Sequence, residues 1–225
     1  MSGEPVALLA LTRFEILRGV ARQGAWMGFA IFLGATTIGA YDYWFRNGEP
    51  ASLFGEGFII WMMGLVSFGI AVDRRRAFDE YLIRNHISVR TYVAAKVLAL
   101  VTLILGAGAI AFIVRLAATA DVPTSLWSAS VMTLIGLMIA PFAMMVESQV
   151  DSAMPAAFVV LGYAVAGGLA LLIRRSPILF ELTGFAQATH GSWTSVMPLA
   201  LRTAIALIVG FAIAGALIRL RLRRY

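Results

Sequence analysis

The sequence predicts an all-α membrane protein with six transmembrane helices, an N-terminal interfacial amphipathic helix and a re-entrant segment before the last span. Three observations predict this class. Of the 225 residues, 60% are hydrophobic and only 13% are charged, about half the charged fraction of a soluble domain. Mean hydropathy is +0.86. Apolar runs of about 20 residues, the length that crosses a bilayer, recur along the chain. A soluble enzyme and a disordered chain are both excluded.

Residues 1–225 are interpreted as a single transmembrane domain. The breaks between its apolar stretches carry turn or charge signals, as at residues 46–50 and 73–76. Ser88 is predicted to cap the helix that leads into the third span. The six predicted spans cover about residues 25–43, 57–72, 93–116, 126–146, 155–173 and 199–218.

The basic residues predict the orientation. Counted through six spans, most of the 18 Lys and Arg residues fall on the same side as the N-terminus. Because cytoplasmic loops are enriched in Lys and Arg, both termini of this multi-pass protein are predicted to be cytoplasmic. Arg174 and Arg175, at the end of the fifth span, are the main exception.

Residues 5–23, ahead of the first span, are amphipathic at helical spacing. One stripe is apolar and includes Phe14 and Leu17, whereas a second stripe carries Glu15, Arg18 and Arg22. This pattern predicts a helix that lies in the cytoplasmic interface, with membrane lipid as a partner and the arginines near lipid phosphates. An ordinary helix that leads into the first span is the alternative.

Residue counts exclude several chemistries. The chain has no cysteine, and its two histidines, His86 and His190, are far apart, so no catalytic residue, cofactor site or metal site is predicted. A P-loop needs Gly-Lys followed by Ser or Thr, but Lys96, the only lysine, follows Ala95 and precedes Val97. The chain is therefore not expected to be an enzyme, and any ATP that drives it must be hydrolysed by another chain. No nucleic-acid partner is expected.

The loop at 73–92 is the longest hydrophilic part of the chain and is predicted to be cytoplasmic. At helical spacing its aromatic and apolar side chains share one side, and its charges remain for water or a partner. Such a protrusion suits docking to another protein, and a solvated loop whose arginines only fix the topology is an equal alternative. The predicted contact residues are Phe78, Asp79, Glu80, Tyr81, Leu82 and Arg84.

A degenerate motif runs from this loop into the third span. An acidic residue and a Leu are followed, after a short break, by a hydrophobic residue, a Ser, a Tyr and an Ala-Lys pair. The residues are Glu80, Leu82, Ile87, Ser88, Tyr92, Ala95 and Lys96. In this order, and in the layout of nearly the whole chain, the sequence resembles the permease subunits of ABC-2 type exporters. Ala77 stands where that family usually has Gly, and His86 where it usually has Pro.

The resemblance implies a half-transporter in the cytoplasmic (inner) membrane of a prokaryote, and the haem-exporter B-like branch is compatible with it. A second permease copy or a homologous permease would complete the dimer above separate cytoplasmic ATP-binding-cassette subunits, which would hold ATP and Mg. The 73–92 loop would be the coupling loop, with Glu147 and Asp151 as a second contact. Alternating access would export a hydrophobic or amphipathic substrate.

The segment at 176–198 is too apolar for a free loop and too interrupted for a span, and such backbone needs shelter at membrane depth. In the family that the chain resembles, re-entrant helices at this position close the outer mouth. Phe180, Phe185 and Trp193 are therefore predicted gate residues. An aromatic belt at the outer interface is the alternative.

Two other functions remain open from the sequence. One is a non-transporting scaffold or assembly subunit of a larger membrane complex. The other is an ion-coupled secondary carrier, which is less favoured because a carrier needs ionisable groups at membrane depth. Asp42, Glu56, Arg115 and Arg202 all lie near predicted span ends, where long side chains reach the interface.

Overall fold

The computed structural model describes residues 4–46, 51–66, 84, 87–149, 162 and 193–222. Within these ranges the chain forms helices and no strand, which confirms the predicted all-α class for the part of the chain that the structure describes. The helices are α1 (Glu4–Val20), α2 (Gln23–Arg46), α3 (Ala51–Val66), α4 (Val89–Thr119), α5 (Val122–Gln149) and α6 (Trp193–Leu222).

Among the described helices, four are long and apolar enough to cross a membrane. They contain the segments Gln23–Tyr41, Val89–Thr119, Val122–Gln149 and Val196–Leu220. These segments correspond to the first, third, fourth and sixth predicted spans and indicate a membrane-embedded, multi-pass protein. α3 contains residues 57–66 of the second predicted span, and the remainder of that span, 67–72, lies outside the described residues. The fifth predicted span, 155–173, lies outside the described residues except for Gly162.

The start of α6 differs from the sequence prediction. Residues 193–198 were predicted to end the re-entrant segment, but they are helical and continuous with the rest of α6. Pro198 lies inside this helix. Pro198 is the sixth residue of this helix, past the first turn, and therefore removes one intrahelical hydrogen bond. The rest of the predicted re-entrant segment, 176–192, lies outside the described residues.

α2 and α3 pack as an antiparallel pair with close backbone contact. A Cβ atom on Gly28 would lie 2.8 Å from Trp61 Cα, and one on Gly64 would overlap the backbone of Gly24. Small residues let membrane helices approach in this way. Next to this contact, the Trp61 ring lies 4.9 Å from that of Phe29, measured between centroids. The glycines therefore set the spacing of the pair, and aromatic rings fill the surface beside it.

α5 packs between α4 and α6. The Thr203 hydroxyl of α6 donates to the Leu134 carbonyl of α5 at 3.2 Å. Seven residues further on in both helices, a Cβ on Gly210 would lie 2.5 Å from the Pro141 ring. The contacts advance together along both helices, so α5 and α6 run in the same direction. The end of α5 and the start of α6 consequently lie at opposite ends of this pair.

The core runs through the whole set of described helices. Each of α2 to α6 contributes a large side chain that is almost completely buried. These side chains are Phe32, Phe58, Ile104, Ile135 and Leu199. α1 reaches the edge of this core through the partly buried Ile16 and packs mainly on α4.

Candidate functional site at the two charged ends of α4

α4 carries two buried basic residues, Lys96 and Arg115, which are 4% and 3% exposed. Residues 97–114 between them are all uncharged. At the rise of an α-helix the two residues are about 28 Å apart, close to the roughly 30 Å of a bilayer's hydrocarbon core. Lys96 and Arg115 therefore lie at the two ends of the apolar part of α4.

At the first end, Lys96 pairs with Glu15 of α1. The Lys96 Nζ atom lies 2.8 Å from Glu15 Oε2, and the two side chains are only 4% and 2% exposed. The other Glu15 oxygen, Oε1, lies 3.6 Å from Arg18 Nη1. Lys96 Nζ also lies 5.5 Å from the centroid of the Tyr92 ring. Because a buried charge is costly unless it is paired, this ion pair holds α1 against α4.

Local structure on both helices brings the pair together. The Ser88 hydroxyl accepts the Thr91 backbone N–H at 3.1 Å, and Ser88 is extended, with φ −64° and ψ 144°. This confirms the predicted cap and fixes the start of α4 two turns before Lys96. On α1, Gly19 leaves room for Leu103 of α4, since a Cβ atom there would lie 2.5 Å from Leu103 Cδ1. An added side chain at Gly19 would meet the end of the Leu103 side chain, which would then have to shift.

The two stripes of α1 face in opposite directions. Phe14 and Leu17, on the apolar stripe, are 46% and 60% exposed. The polar stripe faces the protein instead, with Glu15 buried and Arg18 and Arg22 half-buried. An exposed apolar stripe beside long apolar helices suits contact with lipid acyl chains.

An apolar groove lies beside the ion pair, between α1, α2, α3 and α4. Its volume is about 330 Å³. Aromatic side chains from α2 and α3 form one wall, and a run of small and aliphatic residues from α4 forms the other. The lining residues are Ile16, Val20, Ala25, Trp26, Phe29, Trp61, Leu65, Thr102, Leu103, Gly106, Ala107 and Ile110.

At the second end of α4, the Arg115 side chain bonds to one hydroxyl group of a small hydroxyl cluster. Its Nη1 atom donates to Ser128 Oγ of α5 at 2.6 Å. The Thr119 hydroxyl donates to the Arg115 carbonyl at 3.0 Å and lies 3.2 Å from the Ser125 hydroxyl. Trp127 Nε1 is buried and has no hydrogen-bond partner among the described residues. Arg115 was predicted to reach the interface, but it lies buried in this cluster.

The corner between α4 and α5 positions this hydroxyl cluster. Ala120 adopts a left-handed conformation, with φ 56°, and its N–H donates to the Leu116 carbonyl at 2.8 Å. Asp121 then caps α5, because its Oδ1 atom accepts the Thr124 N–H at 3.2 Å. Hydrogen bonds from the Thr124 side chain and backbone lower the pKa of Asp121, and the charge of Arg115 also lowers it.

Most of the predicted contact and gate residues lie outside the described ranges. These are Phe78, Asp79, Glu80, Tyr81, Leu82, Asp151, Phe180 and Phe185. Arg84 is helical and exposed, whereas Glu147 is buried near the end of α5. Trp193 is the first residue of α6. Among the described residues no group of three His, Cys, Asp or Glu could hold a metal ion.

Comparison with known proteins finds no family model that matches this chain and no similar curated protein.

The Glu15–Lys96 pair was missed from the sequence, although both residues stood out there. Lys96 is the only lysine and comes directly before an uncharged run, and Glu15 interrupts the apolar pattern of the first helix. An ionisable residue at the edge of an apolar segment is expected to have a partner. That rule, applied to both residues, would have suggested an ion pair.

Proposed function

We propose that this chain is the membrane-spanning permease subunit of an ATP-driven ABC-2 type transporter. It exports a hydrophobic or amphipathic substrate by alternating access, in the inner membrane of a prokaryote. ATP and Mg bind to a separate cytoplasmic subunit, and a second permease, identical or homologous, completes the transporter. The resemblance of the 73–92 loop and the lack of a P-loop sequence in this chain support the proposal.

The proposed subunit has six spans, with both termini in the cytoplasm. The same direction of α5 and α6 supports this topology. Gln149 and Trp193 lie at opposite ends of the α5–α6 pair, which agrees with the proposed span at 155–173. In this topology α4 runs from the cytoplasmic side of the membrane to the outer side. Lys96 then lies at the cytoplasmic end of α4 and Arg115 at its outer end.

The Glu15–Lys96 ion pair is the observation that carries the proposal furthest. Lys96 lies eight residues after Ser88, which caps α4, and four residues after the end of the proposed coupling loop at 73–92. A displacement of that loop would be transmitted to the start of α4. Through the 2.8 Å contact between Lys96 Nζ and Glu15 Oε2, it would also be transmitted to α1. A transporter driven from its cytoplasmic side needs such a link, because the permease contributes two packing states rather than bond chemistry.

Purification of the tagged full-length chain from its native membrane tests the proposal. We expect an ATPase that contains a P-loop to copurify. The double substitution Glu80→Arg and Leu82→Asp is expected to abolish this association, whereas Arg13→Glu, on the exposed side of α1, is the matched control. Association that survives the loop substitution would show that the coupling-loop assignment is wrong.

Two results would favour the alternatives. A stable complex with other membrane proteins and without any ATPase would favour a scaffold subunit. Transport that continues after ATP depletion but stops when the ion gradient collapses would identify a secondary carrier.

A further inference from the structure

The described core divides into two clusters at one level of the α4, α5 and α6 helices. The larger cluster includes α5 as far as Ala143. The smaller cluster begins at the next residue, Met144, and adds Ala214 and Ile218 of α6, with side chains from the start of α4 packed against it. Among the described residues, Phe211 packs against both clusters. The end of α5 therefore belongs to a different packing unit from the rest of that helix.

Pro141 interrupts the hydrogen bonds of α5 just before this division. It lies inside the helix, two residues before Ala143. At this position any other residue would donate its N–H to the Leu137 carbonyl, but proline has no N–H, and its ring also crowds that carbonyl. Proline is a common cause of a sharp bend in a helix. The helix is therefore weakened at the level where its packing changes.

α6 contacts α5 differently on the two sides of Pro141. Before it, the Thr203 hydroxyl donates to the Leu134 carbonyl at 3.2 Å. At Pro141 itself, Gly210 leaves room for the ring, since a Cβ atom there would lie 2.5 Å from the Pro141 Cβ. Beyond it, the smaller cluster joins the helices through methionine and other apolar side chains. Methionine adapts readily to altered packing, so the end of α5 can shift where the part before Pro141 is anchored.

We infer that Pro141 is a hinge, about which residues 142–149 of α5 swing relative to the rest of the helix bundle. The Pro141 ring crowds the Leu137 carbonyl on the side of α5 that faces Gly210. Bending opens that side and moves the end of α5 away from α6. A bend of about 20°, the lower limit of a sharp kink, would displace Gln149, about 12 Å beyond Pro141, by about 4 Å. The hinge does not depend on the proposed transport function.

Distances between two spin labels test the hinge. The chain has no cysteine, so labels attach only where one is introduced. Gln149→Cys with Leu201→Cys places one label beyond Pro141 and the other on α6, near the Thr203 anchor. In nanodiscs, double electron–electron resonance is expected to show distances for this pair that spread over about 4 Å, the displacement of a bend at Pro141.

A pair of labels within α4 is the matched control for this measurement. Leu98→Cys with Ile113→Cys uses two exposed positions of that helix, and no proline lies between them. One narrow distance is expected for this pair. If the Gln149–Leu201 distance in the wild-type background is equally narrow, α5 does not bend at Pro141 and the inference is overturned.

Two proline substitutions separate a hinge from fraying of the helix end. Pro141→Ala restores the N–H and removes the ring, so the Gln149–Leu201 distances are expected to narrow to a single value. Pro123→Ala is the control, because Pro123 is the second residue of α5, where an N–H has no partner within the helix. This variant is expected to keep the wild-type spread. An equal spread in both variants would assign it to fraying at Gln149, and the hinge would be rejected.

Discussion

The two ends of α4 bury the same kind of charge in different ways. Lys96 is balanced by a full opposite charge, Glu15, which comes from a separate helix. Arg115 is held by the Ser128 hydroxyl, only 13 residues further along the chain, with Asp121 near it at the corner. One end therefore depends on docking of α1, whereas the other is built into a single helical corner.

This difference separates a movable contact from a fixed one. The corner between α4 and α5 has a left-handed residue, a capped helix start and several hydroxyl contacts within a few residues. α1 is held mainly by its contact with α4, which includes the buried Glu15–Lys96 ion pair. A change of packing state would therefore separate α1 from α4 before it opened the corner.

Removal of one partner of the ion pair is expected to have the largest effect. Glu15→Ala leaves the Lys96 ammonium buried without its carboxylate, which costs about 3–5 kcal/mol of unfolding free energy for a buried pair. Thermal unfolding in detergent, followed by circular dichroism, measures this loss. Hydrogen exchange is expected to rise across α1 while the corner at 116–125 keeps its protection.

The double substitution Glu15→Leu and Lys96→Met provides the control for this prediction. It removes both charges and keeps apolar volume, so most of the lost stability is expected to return. Arg13→Ala, at an exposed position of α1, should change stability little. If Glu15→Ala is as mild as Arg13→Ala, the ion pair does not hold α1.

Substitution at the other end of α4 is expected to cost less. Arg115→Met removes the charge together with its 2.6 Å hydrogen bond to Ser128, so no buried charge is left alone. The Ser128 hydroxyl can then bond to a carbonyl of its own helix. The expected loss is about 1.5–3 kcal/mol, the range for a hydrogen bond to a charged group, measured by the same thermal unfolding.

Hydrogen exchange distinguishes this loss from that at the Lys96 end. Protection is expected to fall at 116–125, and α1 should remain as protected as in the wild type. Loss of protection in α1 after Arg115→Met would show that the two ends are coupled, and the division into a movable and a fixed end would fail.

The sequence was sufficient to predict the helical elements around these sites. Apolar length predicted the span at 93–116, which lies within α4, and the Ser88 cap followed from its position before the third span. These features depend on residues that are close together in the sequence. The same local information predicted the position of the α4–α5 break but not the burial of Arg115, because its partner Ser128 lies on the next helix, 13 residues further along the chain.

The direction in which α1 faces could not be predicted from its amphipathic pattern. In water the apolar stripe would turn toward the protein, but lipid is as apolar as Leu and gives no such preference. The polar stripe faces the protein instead, because Glu15 forms a buried ion pair with Lys96. Helical period assigns residues to stripes; only the position of the neighbouring helix decides which stripe is buried.

The smallest predicted effect is the pH dependence at the Arg115 end. Thr124 lowers the pKa of Asp121 in the folded protein, so the ionised carboxylate adds stability above its unfolded pKa of about 3.9. That contribution is lost as the pH falls through the lower, folded-state pKa. We therefore expect wild-type stability to decline at acid pH more steeply than that of Asp121→Asn.

Asn still caps α5 through its side-chain oxygen, so the comparison isolates the charge. Unfolding midpoints at about pH 6 and pH 3 measure the difference, and parallel declines would show that Asp121 is not held in its ionised form by the corner.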